Sequence, residues 1–489
     1  MNNVILIMTD QHRADAMGCY GNRVVETPNL DWLASQGTRF THAYSPSPSC
    51  VPARASLLTG LDPWHTGILG MGRGQGPMGV GFDYTLPGAL ADAGYQTFGV
   101  GKMHFYPQRA RNGFHETVLD ESGRKEDPDF VSDYRSWFLQ QRSGPYDIDD
   151  HGIGWNSWMA RPYHAPEALH PTTWTVNEAI SFVERRDPTK PFFLKVSFAR
   201  PHSPYDPPSY YFDLYRDKEI PEPYRGNWDQ LHNDPREALK PDAWRGVQSP
   251  EAIRRARQGY YGSITFIDHQ LGRLISFLQK KGLFDPTLFV FLSDHGDMLG
   301  DHHLWRKTYA YEGSARIPLI VKPPVNWQEP VCKEVSHPVI IQDVMPTILD
   351  FLDMEVKREL DGISMKGLIR GEKAHDRTYI HGEHSTCYSE EQEMQFLTDG
   401  KIKYIWFPRL GAEQLFDLQA DLSESIDLAP LPEWHDVLAV WRQRMVQRLA
   451  SRDLGLTEGD QLVSQAGKPF IVSPYYKKRL EASSYDWLS

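Results

Sequence analysis

Residues 1–12, MNNVILIMTDQH, carry the pattern that decides the fold class. Residues 4–8 form an unbroken apolar run, which is typical of a strand covered on both faces in a parallel sheet. The run has no basic leader and no small-residue cleavage site, so we interpret it as a first strand and not as a signal peptide. Asp10 and Gln11 follow it directly. Ligands of open α/β sheets bind beyond the carboxyl ends of the strands, so this polar pair is a candidate for a functional site.

Strand-like and helix-like segments alternate along the rest of the chain. TPNLDWLASQG (27–37) has the cap, first-turn proline and final glycine of a helix, and residues 85–105 predict a helix followed by a strand. PFFLKVSF (191–198) is a second buried strand, and the longest helical pattern, residues 251–281, leads into TLFVFLSDHG (287–296). Strands that alternate with helices predict an α/β fold, a doubly wound and mostly parallel sheet flanked by helices.

Polar side chains stand at the ends of four predicted strands. Because such ends meet at one edge of a parallel sheet, we expect these side chains to share a site. Two carboxylates, an amide and an imidazole suit a hard divalent cation, and the lysine and two further histidines suit an oxyanion. The pattern predicts hydrolysis of a charged ester. The residues are Asp10 with Gln11, Lys102 with His104, His202, and Asp294 with His295.

Composition excludes several classes of function. The 489 residues include 40% hydrophobic and 24% charged ones, which is typical of a globular protein. The net charge of −12, without runs of lysine or arginine, argues against nucleic acid or an anionic membrane as a partner. No apolar stretch approaches the roughly 20 residues of a membrane span. The scattered Cys19, Cys50, Cys332 and Cys387 suit neither a zinc knuckle nor a disulfide framework, so we expect a cytoplasmic protein.

A domain boundary is predicted in the polar segment RGEKAHDRT (370–378). It divides a catalytic α/β domain, residues 1–375, from a smaller α+β subdomain, residues 376–489, with an antiparallel sheet, a helix and a tail. The subdomain contains three strand-like segments, TYIHGEH (378–384), EMQFLTDGKIKYIWF (393–407) and EQLFDL (413–418). The second includes a predicted hairpin turn at Asp399-Gly400. The predicted helix is WHDVLAVWRQRMVQRLA (434–450).

CVPARASLLTG (50–60) resembles the sulfatase signature, Cys-x-Pro-x-Arg followed by Thr-Gly. Five more segments are similar to that family and occur in its order. By these motifs the chain resembles the type I, formylglycine-dependent sulfatases of the alkaline phosphatase superfamily. The five segments are MTDQHRAD (8–15), GYQTFGVGKMHF (94–105), PFFLKVSFARPHSPYDPP (191–208), SDHGDMLGDHHLWRKTYAYEGSARIPLIV (293–321) and DVMPTILDFL (343–352).

The resemblance implies a modified nucleophile beside a metal ion. In sulfatases a maturation enzyme oxidises the signature cysteine, here Cys50, to formylglycine, which hydrates to a geminal diol. One hydroxyl attacks sulfur, and the other then expels sulfate as the aldehyde re-forms. One divalent metal is implied, with Ca²⁺ as first choice because most ligands are oxygens, and with Mg²⁺ and Mn²⁺ left open. The implied ligands are Asp10, Gln11, Asp294 and His295, together with the modified Cys50.

The resemblance also implies roles for the basic residues. Arg54 would hold the hydrated aldehyde and its surroundings by charge-assisted hydrogen bonds. Lys102 and Lys307 would bind the sulfate oxygens. His104 would take the diol proton in the elimination step, and His202 would bind substrate and protonate the leaving oxygen.

The substrate is expected to be a small sulfate ester, either a sulfated mono- or disaccharide or an aryl or alkyl sulfate. Trp155, Trp158 and Tyr163 could stack on its ring or belong to the core. The expected protein partner is the formylglycine-generating enzyme, and a homo-oligomer stays open. Two other functions remain: a phosphonate monoester or phosphodiester hydrolase with the same site, and an inactive homologue that binds glycans.

Overall fold

The computed structural model describes residues 2–71, 81–124, 128–372, 377–452 and 454–482. Its strands are β1 Asn3–Asp10, β2 Thr38–Phe40, β3 Ala43–Tyr44, β4 Gln96–Gly101, β5 Glu116–Leu119, β6 Phe192–Pro201, β7 Thr287–Ser293, β8 Arg316–Ile317, β9 Leu319–Lys322, β10 Glu334–Val335, β11 Val339–Ile340, β12 Ile380–His384, β13 Met394–Thr398, β14 Ile402–Phe407, β15 Ala412–Asp417, β16 Thr457–Glu458 and β17 Gln461–Leu462. Its helices are α1 Pro28–Gln36, α2 Cys50–Thr59, α3 Pro63–Thr66, α4 Leu86–Asp92, α5 Asp133–Gln141, α6 Pro171–Arg185, α7 Ser209–Asp213, α8 Pro250–Lys280, α9 Glu312–Ala315, α10 Val344–Phe351, α11 Lys366–Ile369, α12 His435–Ala450 and α13 Pro474–Ala482.

The largest sheet has eight strands in the order β10-β2-β9-β7-β1-β6-β4-β5. β1 lies between β6 and β7 and is parallel to both, and β4 is parallel to β5 and β6. β9 is antiparallel to β7 and β2, so the sheet is mixed at that edge. The predicted α/β fold with a mostly parallel sheet is therefore confirmed.

Apolar cores cover both faces of this sheet. Val4, Leu6 and Met8 of β1 pack in one core with α2, α4 and α10. Ile5 and Ile7 pack in the other with α1, α6 and α8. Alternate residues of one strand enter opposite cores because side chains of a β-strand alternate between faces, which explains why the run in residues 4–8 is apolar without a break.

A second sheet follows the first in the chain. β12, β13, β14 and β15 form it in that order, and all its pairs are antiparallel. Trp441 and Met445 of α12 pack against it, and Gly400, with a φ of 83°, makes the predicted turn between β13 and β14. The predicted small antiparallel sheet is thus confirmed. The boundary between residues 375 and 376 lies outside the described residues and stays a prediction.

A bilayer-spanning helix needs about 20 apolar residues. Within the described ranges, no helix combines the necessary length and apolarity.

Candidate active site

Three parts of the chain meet at the carboxyl edge of the central strands. Asp10 ends β1, Asp294 follows β7, and Cys50 begins α2. β1 and β7 are paired in register along their length, so the carboxylates that follow them are neighbours. Four buried side chains place ligand atoms within 4.8 Å of one another: Asp10, Cys50, Asp294 and His295.

The Cys50 thiol lies at the centre of this cluster, with 1% of the residue exposed. Its Sγ is 3.1 Å from Lys307 Nζ, 3.3 Å from His295 Nε2, 3.5 Å from Asp10 Oδ1 and 3.6 Å from Lys102 Nζ. Burial and Asp10 act to raise the pKa of Cys50, but the two lysines and His295 outweigh them and lower it to about 7. The surroundings of position 50 therefore stabilise negative charge.

Arg54, one turn along α2, bridges the two carboxylates. Its Nε donates to Asp294 Oδ2 at 2.9 Å, and its Nη2 donates to Asp10 Oδ2 at 3.1 Å. Its Nη1 donates to the Lys102 carbonyl at 2.5 Å and to Ser197 Oγ at 2.9 Å. These four bonds fix Arg54 between the two carboxylates and the end of β4. No hydrogen bond from Arg54 to the Cys50 side chain occurs among the described contacts, and the role expected for Arg54 stays a prediction.

His295 presents Nε2 to the cluster. Its Nδ1 lies 2.8 Å from the carbonyl oxygen of Gly296, which can only accept, so Nδ1 carries a proton. Nε2 lies 3.6 Å from both Asp10 Oδ1 and Asp294 Oδ1. Burial alone would lower the pKa of His295, but Asp294 and Cys50 raise it above its ordinary value. A bound cation would compete with a proton for this nitrogen.

Gln11 follows Asp10 at the end of β1, and its backbone N–H donates to Asp294 Oδ1 at 3.1 Å. Its side-chain NH₂ donates to Asp297, whereas its buried Oε1 has no hydrogen-bond partner among the described residues. A buried amide oxygen without a donor is costly unless another group, such as a cation, binds it. The donor set of Gln11, Asp10, Asp294 and His295, rich in oxygen, therefore fits a divalent cation.

Two lysines and a neutral histidine line the site within hydrogen-bond distance of Asp10 or of one another. Lys102 Nζ lies 2.5 Å from Asp10 Oδ2, and Lys307 Nζ donates to His202 Nε2 at 2.7 Å. His202 Nδ1 lies 2.8 Å from the carbonyl oxygen of Ser203, so it carries the proton of the ring. Burial, with Lys307 and Lys102, holds the pKa of His202 well below its usual range. The imidazole is neutral in this state.

The imidazole of His104 is buried beside the end of β4. His104 has a φ of 62°, and its backbone N–H donates to Glu121 Oε1 at 2.9 Å. Neither ring nitrogen has a hydrogen-bond partner within the part of the chain that the structure describes. Burial, with Arg124 and Lys102, holds the pKa of His104 well below its usual range. The ring is therefore neutral.

The three aromatic residues of the Trp-rich segment have different surroundings. Trp155 stacks on His202 with ring centroids 4.0 Å apart and planes at 10°, and Lys102 Nζ lies 4.7 Å from its centroid. Trp158 packs against the buried Trp305, and its Nε1 donates to the Lys240 carbonyl. Tyr163 is buried in a core. Of the three, Trp155 touches the residues of the site.

Lys307 belongs to an irregular segment, residues 297–309, which we term the Lys307 loop. Asp301 anchors it, because its Oδ2 accepts from Arg13 Nη1 and its Oδ1 from Arg257 Nη2, both at 2.6 Å. Burial opposes the charge of Asp301, but the two arginines hold its pKa below the usual range. Six residues of the loop have positive φ angles: Leu299, Gly300, His302, His303, Arg306 and Thr308.

Sequence reasoning missed Asp297 and Glu121. Asp297 accepts hydrogen bonds from Gln11 and from Tyr205, and Glu121 accepts the backbone N–H groups of Met103 and His104. Burial raises the pKa of Asp297, although the bonds from Tyr205 and Gln11 act against this. Asp297 could have been found from its place three residues after Asp294, but no local pattern marks Glu121.

Comparison with known families identifies two matches. The model of the sulfatase family matches residues 2–354. The model of the C-terminal region of N-sulphoglucosamine sulphohydrolase matches residues 300–451. The first match covers the large sheet and every residue of the cluster, and the second reaches through the antiparallel sheet.

Individual relatives agree with these matches. The chain is 40% identical over 472 residues to an arylsulfatase of Clostridium perfringens, with 94% of this chain and 97% of that protein covered. It is 30% identical over 446 residues to a choline-sulfatase of Rhizobium meliloti, with 88% and 83% covered. A phosphonate monoester hydrolase of Agrobacterium radiobacter shares the fold with a TM-score of 0.74 and 23% identity, over 96% of this chain and 99% of that chain.

Proposed function

The chain belongs to the sulfatase family of the alkaline phosphatase superfamily and is a sulfuric ester hydrolase, and from that premise we propose how it acts. We propose that it hydrolyses a small sulfate ester, an aryl or alkyl sulfate or a sulfated mono- or disaccharide. The nucleophile would be a formylglycine hydrate derived from Cys50. The surroundings of the Cys50 side chain carry this proposal, because Sγ lies within 3.6 Å of Asp10, His295, Lys102 and Lys307.

A divalent cation is part of the proposal. Sulfatases are metal-dependent, and the described residues include a buried cluster suited to an ion. Asp10, Gln11, Asp294 and His295 would hold it, together with the modified residue 50. Calcium is our first choice on the oxygen-rich donor set, with magnesium or manganese as alternatives. When bound, such a cation polarises a sulfuryl oxygen and favours the deprotonated nucleophile.

The basic residues would divide binding from proton transfer. Lys102 and Lys307 are the donors for the sulfate oxygens, and Arg54 keeps the carboxylates in place. Lys307 already donates to Nε2 of His202, so a proton that reaches this nitrogen from the ammonium group can pass to the leaving oxygen. His104, whose neutral ring has no hydrogen-bond partner among the described residues, would remove the proton of the hydrate.

Hydrolysis of phosphonate monoesters or phosphodiesters is the second candidate, because the fold is shared with a phosphonate monoester hydrolase. The two readings use the same site residues. The arylsulfatase relative, which is 40% identical, favours the sulfate ester. The maturation enzyme as a partner, the cytoplasmic location and the homo-oligomer stay predictions from the sequence.

The test compares protein made with and without a formylglycine-generating enzyme. Mass spectrometry of the peptide that contains Cys50 reports the aldehyde, and paired assays use an aryl sulfate and an aryl phosphonate. We expect sulfate ester hydrolysis in proportion to the aldehyde content. Cys50→Ala should lower kcat by about 10⁴-fold or more, since it removes the nucleophile. A higher kcat/KM for the phosphonate, or full activity of Cys50→Ala, would contradict the proposal.

A further inference from the structure

The side-chain amide of Gln11 has two unlike ends. Its oxygen can bind a cation, whereas its NH₂ group can only donate and repels one. The shape of an amide is nearly the same in both orientations, so its neighbours decide which end faces the cluster. The backbone of Gln11 is held in place, because its N–H donates to Asp294 Oδ1 at 3.1 Å and its carbonyl accepts from Tyr260 at 2.6 Å.

Asp297 decides the orientation. Its buried carboxylate accepts four hydrogen bonds, two at each oxygen. The backbone N–H groups of Leu299 and Arg306 donate to Oδ1 at 3.0 and 3.1 Å. Tyr205 donates to Oδ2 at 2.5 Å, and the Gln11 NH₂ donates to the same oxygen. With two donors at each oxygen, the carboxylate acts as an acceptor on both sides.

A carboxylate that only accepts requires the donor end of the amide. The NH₂ group of Gln11 therefore faces Asp297, and the oxygen is turned away from it. That oxygen is the buried Oε1 without a partner among the described contacts. Gln11 itself has a φ of 68°, an uncommon angle for a residue with a side chain. The strained backbone and the four-donor carboxylate together give the amide one orientation.

We propose that Asp297 is a positioning residue, which directs the Gln11 side-chain oxygen to the cation site by accepting the other end of the amide. The inference rests on the proposed function, since it needs the cation. It explains how the uncharged side chain of Gln11 can act as a cation ligand beside the carboxylates of Asp10 and Asp294. The same carboxylate also holds Arg306 N–H, so it ties the amide to the Lys307 loop.

The test measures cation binding and not activity. Full-length protein is freed of metal with a chelator and titrated with Ca²⁺ by calorimetry. In Asp297→Asn, an NH₂ group replaces one acceptor. When it faces Gln11, the amide turns and presents its own NH₂ to the cation. We expect affinity for Ca²⁺ to fall by about 10- to 100-fold, the usual range for residues that orient a metal ligand. Thermal unfolding without Ca²⁺ shows whether the variant folds.

A double substitution separates orientation from general damage. In Gln11→Glu with Asp297→Asn, the new NH₂ donates to one oxygen of the new carboxylate, and its other oxygen faces the cation. We expect Ca²⁺ affinity at or above that of the wild type. Asp268→Asn is the matched control, because Asp268 is as buried as Asp297, also accepts two backbone N–H groups and lies outside the Lys307 loop. It should leave Ca²⁺ affinity within about 3-fold.

The possible outcomes distinguish a failure of the positioning role of Asp297 from a failure of the cation site itself. Wild-type affinity in Asp297→Asn, or an equal loss in the double variant, would overturn the positioning role and leave the proposed function standing. A loss in Asp268→Asn as large as in Asp297→Asn would also overturn it, because general loosening of the fold would then explain both. If the wild type bound neither Ca²⁺, Mg²⁺ nor Mn²⁺, the cation site would fail and this inference with it.

Discussion

The ends of β1 and β7 and the Lys307 loop supply side chains to the same thiol, but their backbones are held in different ways. Asp10 and Asp294 stand at the ends of two paired central strands that are buried on both faces. Lys307 stands in a segment whose neighbours on both sides, Arg306 and Thr308, have φ values of 68° and 81°. The loop is anchored by buried ion pairs of Asp301 and not by a strand ladder.

The strand ends and the Lys307 loop are thus held in place by different kinds of interaction. Strand ends are positioned by the hydrogen bonds and apolar packing that form the fold itself, so their side chains can change with little effect on the backbone. The loop conformation depends on contacts with distant parts of the chain: the ion pairs of Asp301, backbone bonds such as that from Thr308 N–H to the Pro48 carbonyl, and the burial of Trp305. We therefore expect substitution of Lys307 to lower activity without lowering stability. Substitution of Asp301, the anchor of its loop, should lower both.

The largest expected effect is on catalysis at the tip of the loop. Lys307→Ala removes a cation that lies 3.1 Å from Cys50 Sγ, where negative charge is to be stabilised. We expect kcat for an aryl sulfate to fall by about 10³-fold, or about 4 kcal/mol of transition-state stabilisation. Urea denaturation should show no loss of stability, because the solvation cost of burying the ammonium group, which the variant avoids, offsets the contacts that it loses. A fall below about 5-fold would contradict the role of Lys307.

The anchor of the loop should couple stability to activity. Asp301→Ala leaves Arg257 buried without the carboxylate that it binds, and we expect the free energy of unfolding to drop by about 3 kcal/mol or more. Activity should fall as well, because the loop carries Lys307. Glu116→Ala is the control, since it breaks a half-exposed pair with Arg185 and should cost less than about 1 kcal/mol. Equal losses of unfolding free energy in Asp301→Ala and Glu116→Ala would contradict the anchoring role of Asp301.

Acid should weaken the strand-end region through His12. The side chain is buried just beyond β1, and burial lowers its pKa from 6.5 to about 4. The unfolded chain binds the proton more tightly, so this contribution to stability is complete above pH 6.5 and is lost as the pH falls towards 4. Between pH 7.5 and 5.0 we expect about 2 kcal/mol from His12.

The measurement compares urea midpoints of the wild type and His12→Gln at these two pH values. Other buried histidines contribute to both proteins, so the difference between their pH dependences reports on His12. The variant should lose about 2 kcal/mol less than the wild type on acidification. An equal pH dependence of the two proteins would show that His12 is not held neutral in the folded state.

The smallest expected effect is at the edge of the site. Trp155→Ala removes the ring that stacks on His202, and a stacked pair contributes about 0.5–1.5 kcal/mol. We expect kcat/KM to fall by about 2- to 10-fold, with Trp155→Phe in between. Trp158→Ala, in the same segment but packed on Trp305, should change kcat/KM by less than about 2-fold. The reverse order of the two alanine variants would contradict the assignment of Trp155.

Sequence patterns predicted the strand-end half of this comparison well. Asp10 and Asp294 follow buried apolar runs, and parallel pairing brings such positions together whatever the rest of the fold does. The resemblance of CVPARASLLTG to a family signature added Cys50 and Arg54, which no periodicity would select. The partners of Arg54 could not be predicted, since a buried guanidinium binds whichever acceptors the packed fold supplies.

The conformation of the Lys307 loop was beyond such reasoning, although the resemblance had named Lys307 itself. Left-handed angles at Arg306 and Thr308 are unfavourable locally, and they are held by contacts elsewhere in the chain, from Arg306 N–H to Asp297 and from Thr308 N–H to the Pro48 carbonyl. The hydrogen-bond partner of Gln11 likewise depends on where Asp297 lies after folding. A pattern in one segment contains no information about a contact that another segment enforces.

The burial of Cys50 limits when a second enzyme can modify its thiol. Sealed at the start of α2 beneath Lys307, the thiol is out of reach of any other protein once the sheet and helices have assembled. Oxidation by a second enzyme would have to occur on the nascent chain, in the interval between synthesis and collapse of the core. A molecule that folds first would stay inert, however much of the oxidising enzyme it met afterwards.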